Sequence, residues 1–150
     1  MDTGLISRLK SAFIETRSGP PALQLLFILI FLVGMHSVIL GIFIFFFTNT
    51  FYHLFFMTPV ENIFFVRQSG LFLFCLGSFY FIPLLELRQN RLMVGIIIAT
   101  KVLAVLFLLC YAHLSPRPPI IFLAAVGDGF MGALLALLLY KAGPMIPNFR

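Results

Sequence analysis

Charge is what this sequence has least of. Asp, Glu, Lys and Arg make up 10% of its 150 residues, against 61% hydrophobic; ordinary soluble domains run near ~25% charged and ~45–50% apolar. A soluble globular chain is thereby excluded. Tryptophan is absent, so an aromatic belt at a membrane surface would rest on the four tyrosines. Both cysteines, Cys75 and Cys110, fall inside apolar runs. That placement suits inert buried thiols better than a disulfide, and no metal-site spacing is present. H-E-x-x-H, G-x-S-x-G, a P-loop, C-x-x-C and carboxylates paired for acid–base chemistry are all missing. The chain reads as a non-enzyme. No selectivity filter or broken-helix transporter core is visible either. The net charge of +5 does not point to nucleic acid, because the basic residues are scattered and flank apolar runs, as at a membrane surface.

What is present is four long apolar runs, about 22–47, 62–87, 92–112 and 120–140. Each reaches the ~20 residues a helix needs to cross a bilayer. The fold class that follows is an all-α membrane protein: a four-transmembrane-helix bundle over residues 20–143, preceded by an N-terminal amphipathic interfacial helix over 1–19 and followed by a tail, 144–150. In the first segment Ile6, Leu9, Phe13 and Ile14 recur at helical spacing, with Arg8, Lys10 and Glu15 elsewhere on the wheel. Ser18-Gly19-Pro20-Pro21 stops it and launches the next helix. Thr48 to Met57 suits an interfacial loop or short helix. Thr58-Pro59-Val60-Glu61 has the form of a capping box, which predicts a second helix from Pro59 to about Leu87, kinked at Pro83. Glu86 to Arg91 is a polar hairpin turn, and Lys141-Ala142-Gly143-Pro144 closes the last span.

Four spans put both termini on one side. That side collects seven basic residues (Arg8, Lys10, Arg17, Arg88, Arg91, Lys141 and Arg150), while Arg67 and Arg117 lie on the other and Lys101 is intramembrane. The positive-inside rule then makes both termini cytoplasmic.

Asp128 stands between two glycines in the fourth run, eight residues in and so near the midplane, where a bare carboxylate is costly. Lys101, deep in the third run, is its expected partner. Such a pair acts either as a structural tie fixing helix register or as a relay or ligand anchor. Small residues line helix faces where backbones approach closely: Gly34 and Gly41 on the first helix, Gly70 and Gly77 on the second, Gly95 and Ala99 on the third, Ala125, Gly129 and Ala133 on the fourth. These suit packing within the bundle, or docking of another protein or a flat cofactor. His36 sits near the midplane of the first span. It is read as hydrogen-bonded to Asp128, Tyr80 or a backbone carbonyl, or as a single axial ligand for a haem or chlorophyll-type pigment. No cofactor is required by the sequence.

Arg67 with Gly70, Gly77-Ser78-Phe79-Tyr80, the turn Arg88-Gln89-Asn90-Arg91, Lys101 and Gly127-Asp128 together resemble the small bacterial four-helix membrane proteins of the loose DoxX-like kind. The resemblance covers about the last 85 residues, and it implies a four-helix bundle in a bacterial inner membrane with no defined activity. The expected function is a non-catalytic accessory or structural subunit of a larger inner-membrane complex. Its partners would be membrane lipids, other integral membrane subunits or copies of itself, and not nucleic acid. The alternative is a small lipid-, quinone- or ion-binding membrane protein or transporter that uses Lys101 and Asp128.

Overall fold

The computed structural model describes residues 19–55, 57, 59, 61–87, 89–114 and 119–142, together with 4, 7 and 14. Among them lie six helices: α1 (Pro21–Phe46), α2 (Thr48–Leu54), α3 (Phe64–Phe79), α4 (Ile82–Leu85), α5 (Arg91–Leu114) and α6 (Pro119–Ala142), with no strand. Four segments are long and apolar enough to cross a membrane: Pro21–Phe46, Phe64–Leu85, Arg91–Leu114 and Pro119–Ala142. The amphipathic helix expected at the N-terminus lies outside the described residues, save Gly4, Ser7 and Ile14, and so does the 144–150 tail.

Proline starts α1. Pro21 occupies a first-turn position after the Pro20 N-cap, whose carbonyl accepts from the Leu23 and Gln24 amides. A ring that fixes φ and lacks an N–H removes one donor that no helical carbonyl would meet. At the other end Phe47 leaves helical geometry, and Thr48 begins α2 with its hydroxyl donating back to Ile44 O at 2.7 Å. Phe51 lies against Phe43, ring centroids 6.2 Å apart, and against Phe55 at 4.6 Å. The Phe51–Phe43 contact holds α2 against the end of α1. Burial holds the Tyr52 phenol above its ordinary pKa, so it stays neutral.

The second span departs from expectation at both ends. Its helix begins at Phe64 and not at Pro59; Asn62 Oδ1 accepts from the Phe64 amide at 3.0 Å in a turn just ahead of the helix, and the expected Thr58 cap lies outside the described residues. Toward its far end the helix is interrupted at Tyr80–Phe81 and resumes as α4. Pro83 has no N–H to give the Phe79 carbonyl, so the turns tighten, with Phe81 N bonded to Ser78 O and Leu84 N to Phe81 O. The expected kink is a break into a separate short helix.

α1 packs on α3, α6 packs on α5, and the two hairpins meet through α1 and α6. The order round the bundle is therefore α3–α1–α6–α5, and α3 and α5 do not pack along their lengths. At the α4 end the interior is filled by side chains: Leu23, Leu26, Ile30, Tyr80, Leu84, Val94, Ile97 and Leu135 are all buried there. Large apolar residues such as Phe31, Phe72, Phe107, Leu123 and Phe130 point outward. Such a surface suits a hydrocarbon solvent, in which apolar side chains need no cover. Cys75 and Cys110 are among the outward-facing residues, both free, which corrects their expected burial.

Candidate functional site

Lys101 and Asp128 meet across α5 and α6. Lys101 Nζ donates to Asp128 Oδ1 at 2.6 Å, with the two side chains 7% and 19% exposed. Two features of the sequence bring them together. Lys101 continues the buried stripe of α5 after Val94 and Ile97. On α6 the buried stripe runs through Ile121, Ala125, Gly132, Leu135 and Ala142, and Asp128 falls on it between Ala125 and Gly132. Gly132 is the residue that sequence reasoning undervalues. A Cβ placed there would come 3.2 Å from Lys101 Cβ, so its bare backbone makes room for the lysine stem. The available signal was its position one helical turn after Asp128.

The small-residue faces divide. In the α1–α3 hairpin a Cβ on Gly41 would stand 2.5 Å from Phe74 N, one on Gly70 2.8 Å from Phe45 N, and one on Gly77 2.8 Å from Val38 N. Gly34 is looser, with the Phe81 ring 3.0 Å away. On the other hairpin the expected stripe turns only partly toward a neighbour in this chain. Ala125 is buried, Gly129 would find only Val105 Cγ2 at 3.6 Å, and Ala133 is exposed. Each four-residue step turns about 40° round a helix, so the run from Ala125 to Ala133 rotates out of the interface. Gly95 likewise meets nothing within 4 Å, and Ala99 is exposed.

Above the ion pair, toward α2, the bundle opens. A cavity of about 440 Å³ is lined there by all four long helices, inside the ~300–1,000 Å³ range of small-molecule sites. Lys101, Asp128, His36 and Ser37 supply its polar groups. Leu73 and Leu108 line it from α3 and α5, and Phe51, Phe55 and Met57 line it from α2 and the residues that follow. His36 is exposed into this space and makes no hydrogen bond among the described residues, in contrast to the expected bond to Asp128 or Tyr80. Tyr80 instead meets Thr100, Oη to Oγ1 at 2.7 Å. Thr100 donates its single hydroxyl proton to Ile97 O at 2.8 Å, so Tyr80 is the donor of the pair.

That bond ties the far end of α3 to α5 one residue from Lys101. Past it, α5 contributes no buried residue, and the gap between α3 and α5 is the side on which the cavity has no helix–helix seam. A larger, more open hollow of about 760 Å³ beside Asn62, Arg67 and Phe72 gathers none of the intramembrane ionisable groups. Among the described residues no group of three or more His, Cys, Asp or Glu is placed to hold a metal ion. His53 and His113, on α2 and in the last turn of α5, do not line the cavity with His36.

Fold and site together define a helical protein with four membrane-spanning candidates and an ion pair at the floor of a cavity. No family model, no curated protein and no solved structure matches the chain.

Proposed function

We propose that this chain is a multi-pass membrane protein that binds a small amphiphile from the bilayer. The head group would rest at Lys101, Asp128 and His36, and the tail among the aliphatic and aromatic walls. The observation that carries this reading is the convergence of those three polar side chains on one cavity whose remaining lining is almost wholly apolar. A few placed polar groups in an apolar cleft is the usual composition of a ligand site, and the unseamed side between α3 and α5 gives lipid-borne molecules a way in. The charge asymmetry of the loops supports cytoplasmic termini, which would leave the cavity in the opposite leaflet. On the resemblance noted above, the membrane is a bacterial inner membrane.

The test uses the full chain in liposomes with a photoreactive long-chain alcohol. Labelling should map to the cavity walls and fall at least tenfold in Gly127→Leu. Gly127 lines the cavity, and a Cβ there touches nothing within 4 Å, so leucine fills space without collision. Labelling spread evenly over the lipid-facing helices, unchanged by Gly127→Leu, would sink the proposal.

A second reading, the accessory subunit of a larger complex, draws on one observation. Ala99, Ala133 and Ala136 lie exposed on faces that no helix among the described residues covers, and small residues are what a docking membrane helix needs. In mild detergent, a lone monomer that co-migrates with nothing would remove this reading.

A further inference from the structure

Granting the ligand site just proposed, we infer that it selects amphiphiles with an uncharged, hydrogen-bonding head, such as a hydroxyl, carbonyl or amide, and rejects fixed charges of either sign. The cavity floor is already neutral. Lys101 and Asp128 compensate one another at 2.6 Å, and among the described residues the only other ionisable side chain lining the cavity is His36. A sulfonate or quaternary ammonium would arrive with no free counter-charge in an apolar enclosure, where an unpaired ion is strongly disfavoured. It would have to split the existing pair to find one, and so strand the displaced partner.

An uncharged head meets no such obstacle. An ammonium group carries three N–H donors, and Lys101 gives one of them to Asp128. Asp128 Oδ2 takes no hydrogen bond among the described residues, and His36 is likewise without one. A head group that both donates and accepts can therefore join the pair without breaking it. Asp128→Asn is the variant that shifts this balance. Its amide keeps the shape and a carbonyl acceptor for Lys101 but leaves the floor with one net positive charge.

The experiment is competition against the photoreactive alcohol in liposomes of the full chain, using dodecanol, dodecanesulfonate and dodecyltrimethylammonium. Equal chains make the head group the only variable. Dodecanol should displace the probe at a concentration at least tenfold below either ion. In Asp128→Asn, dodecanesulfonate should gain at least tenfold and dodecyltrimethylammonium should not. Either ion competing as well as dodecanol against wild type overturns the selectivity, as does an unchanged sulfonate in Asp128→Asn that still binds dodecanol. Should Asp128→Asn fail to fold, the wild-type ranking decides alone. Failure of the site itself looks different: no probe labelling sensitive to Gly127→Leu.

Discussion

The two antiparallel hairpins of this bundle are joined by opposite means. In α1–α3 the helices touch backbone to backbone at Gly41, Gly70 and Gly77, leaving no room for a methyl group. In α5–α6 a lysine stem lies over Gly132 and reaches an aspartate, and past that point no residue of α5 is fully buried. Close backbone contact gives a continuous seam with no space inside it. A single polar bond at mid-height fixes the pair at one level and lets the helices stand away from the centre above it. The cavity exists because the second hairpin is built in the second way.

The sharpest way to break this contrast is to remove one charge. Asp128→Leu strands a buried ammonium and is expected to cost ~3–5 kcal/mol, the usual penalty for breaking a buried pair. Lys101→Met, which strands the carboxylate instead, should cost a comparable amount. The double variant, Lys101→Met with Asp128→Leu, should regain most of the loss. Unfolding in mixed micelles gives all three values, and two wild-type-like single variants would show the groups are not coupled.

Next in size is the seam. Gly41→Ala forces a Cβ to within 2.5 Å of Phe74 N, and overpacking of that kind costs ~1–3 kcal/mol or more. Gly129→Ala and Gly95→Ala, at positions with ordinary contact or none, should move stability by ~0.5 kcal/mol at most. If the same substitution acts equally at Gly41 and Gly95, the hairpins do not differ as described.

Smaller again is the tie between them. Tyr80→Phe removes a donor but leaves Thr100 bonded to Ile97 O, so ~0.5–1.5 kcal/mol is expected, the net worth of one hydrogen bond. Thr100→Val in the Tyr80→Phe background should then add little. A full additive loss would mean the two hydroxyls act separately.

How much of this was legible in the sequence follows from what each residue depends on. The four spans depend only on apolar length, and a run such as Ala22 to Phe47 shows that directly. Lys101 and Asp128 stood out because no other carboxylate or ammonium group lies so deep in an apolar run. The seven-residue spacing of Gly34 with Gly41, and of Gly70 with Gly77, was visible as well. Which small residues face a neighbour was not. Gly129 and Gly132 are alike in one dimension, and only the rotation of α6 against Lys101 separates them. The break at Tyr80–Phe81 is the form taken by the kink expected at Pro83, and it falls ahead of the ring because the carbonyl left without a donor is that of Phe79. The side to which His36 turns depends on how far α3 and α5 stand apart, a property of no single helix.

Gly41 lies opposite Gly70, and Gly34 opposite Gly77, each pair separated by the same seven residues along its own chain. The alignment of the first hairpin is thus written into the spacing within α1 and α3, and the connection between them carries none of it. Residues added between α2 and α3 would leave every glycine facing its counterpart. One residue inserted between Gly34 and Gly41 would rotate one glycine by about 100° away from its partner. Among descendants of this sequence, the seven-residue steps between paired glycines should keep their length whatever happens to the connection.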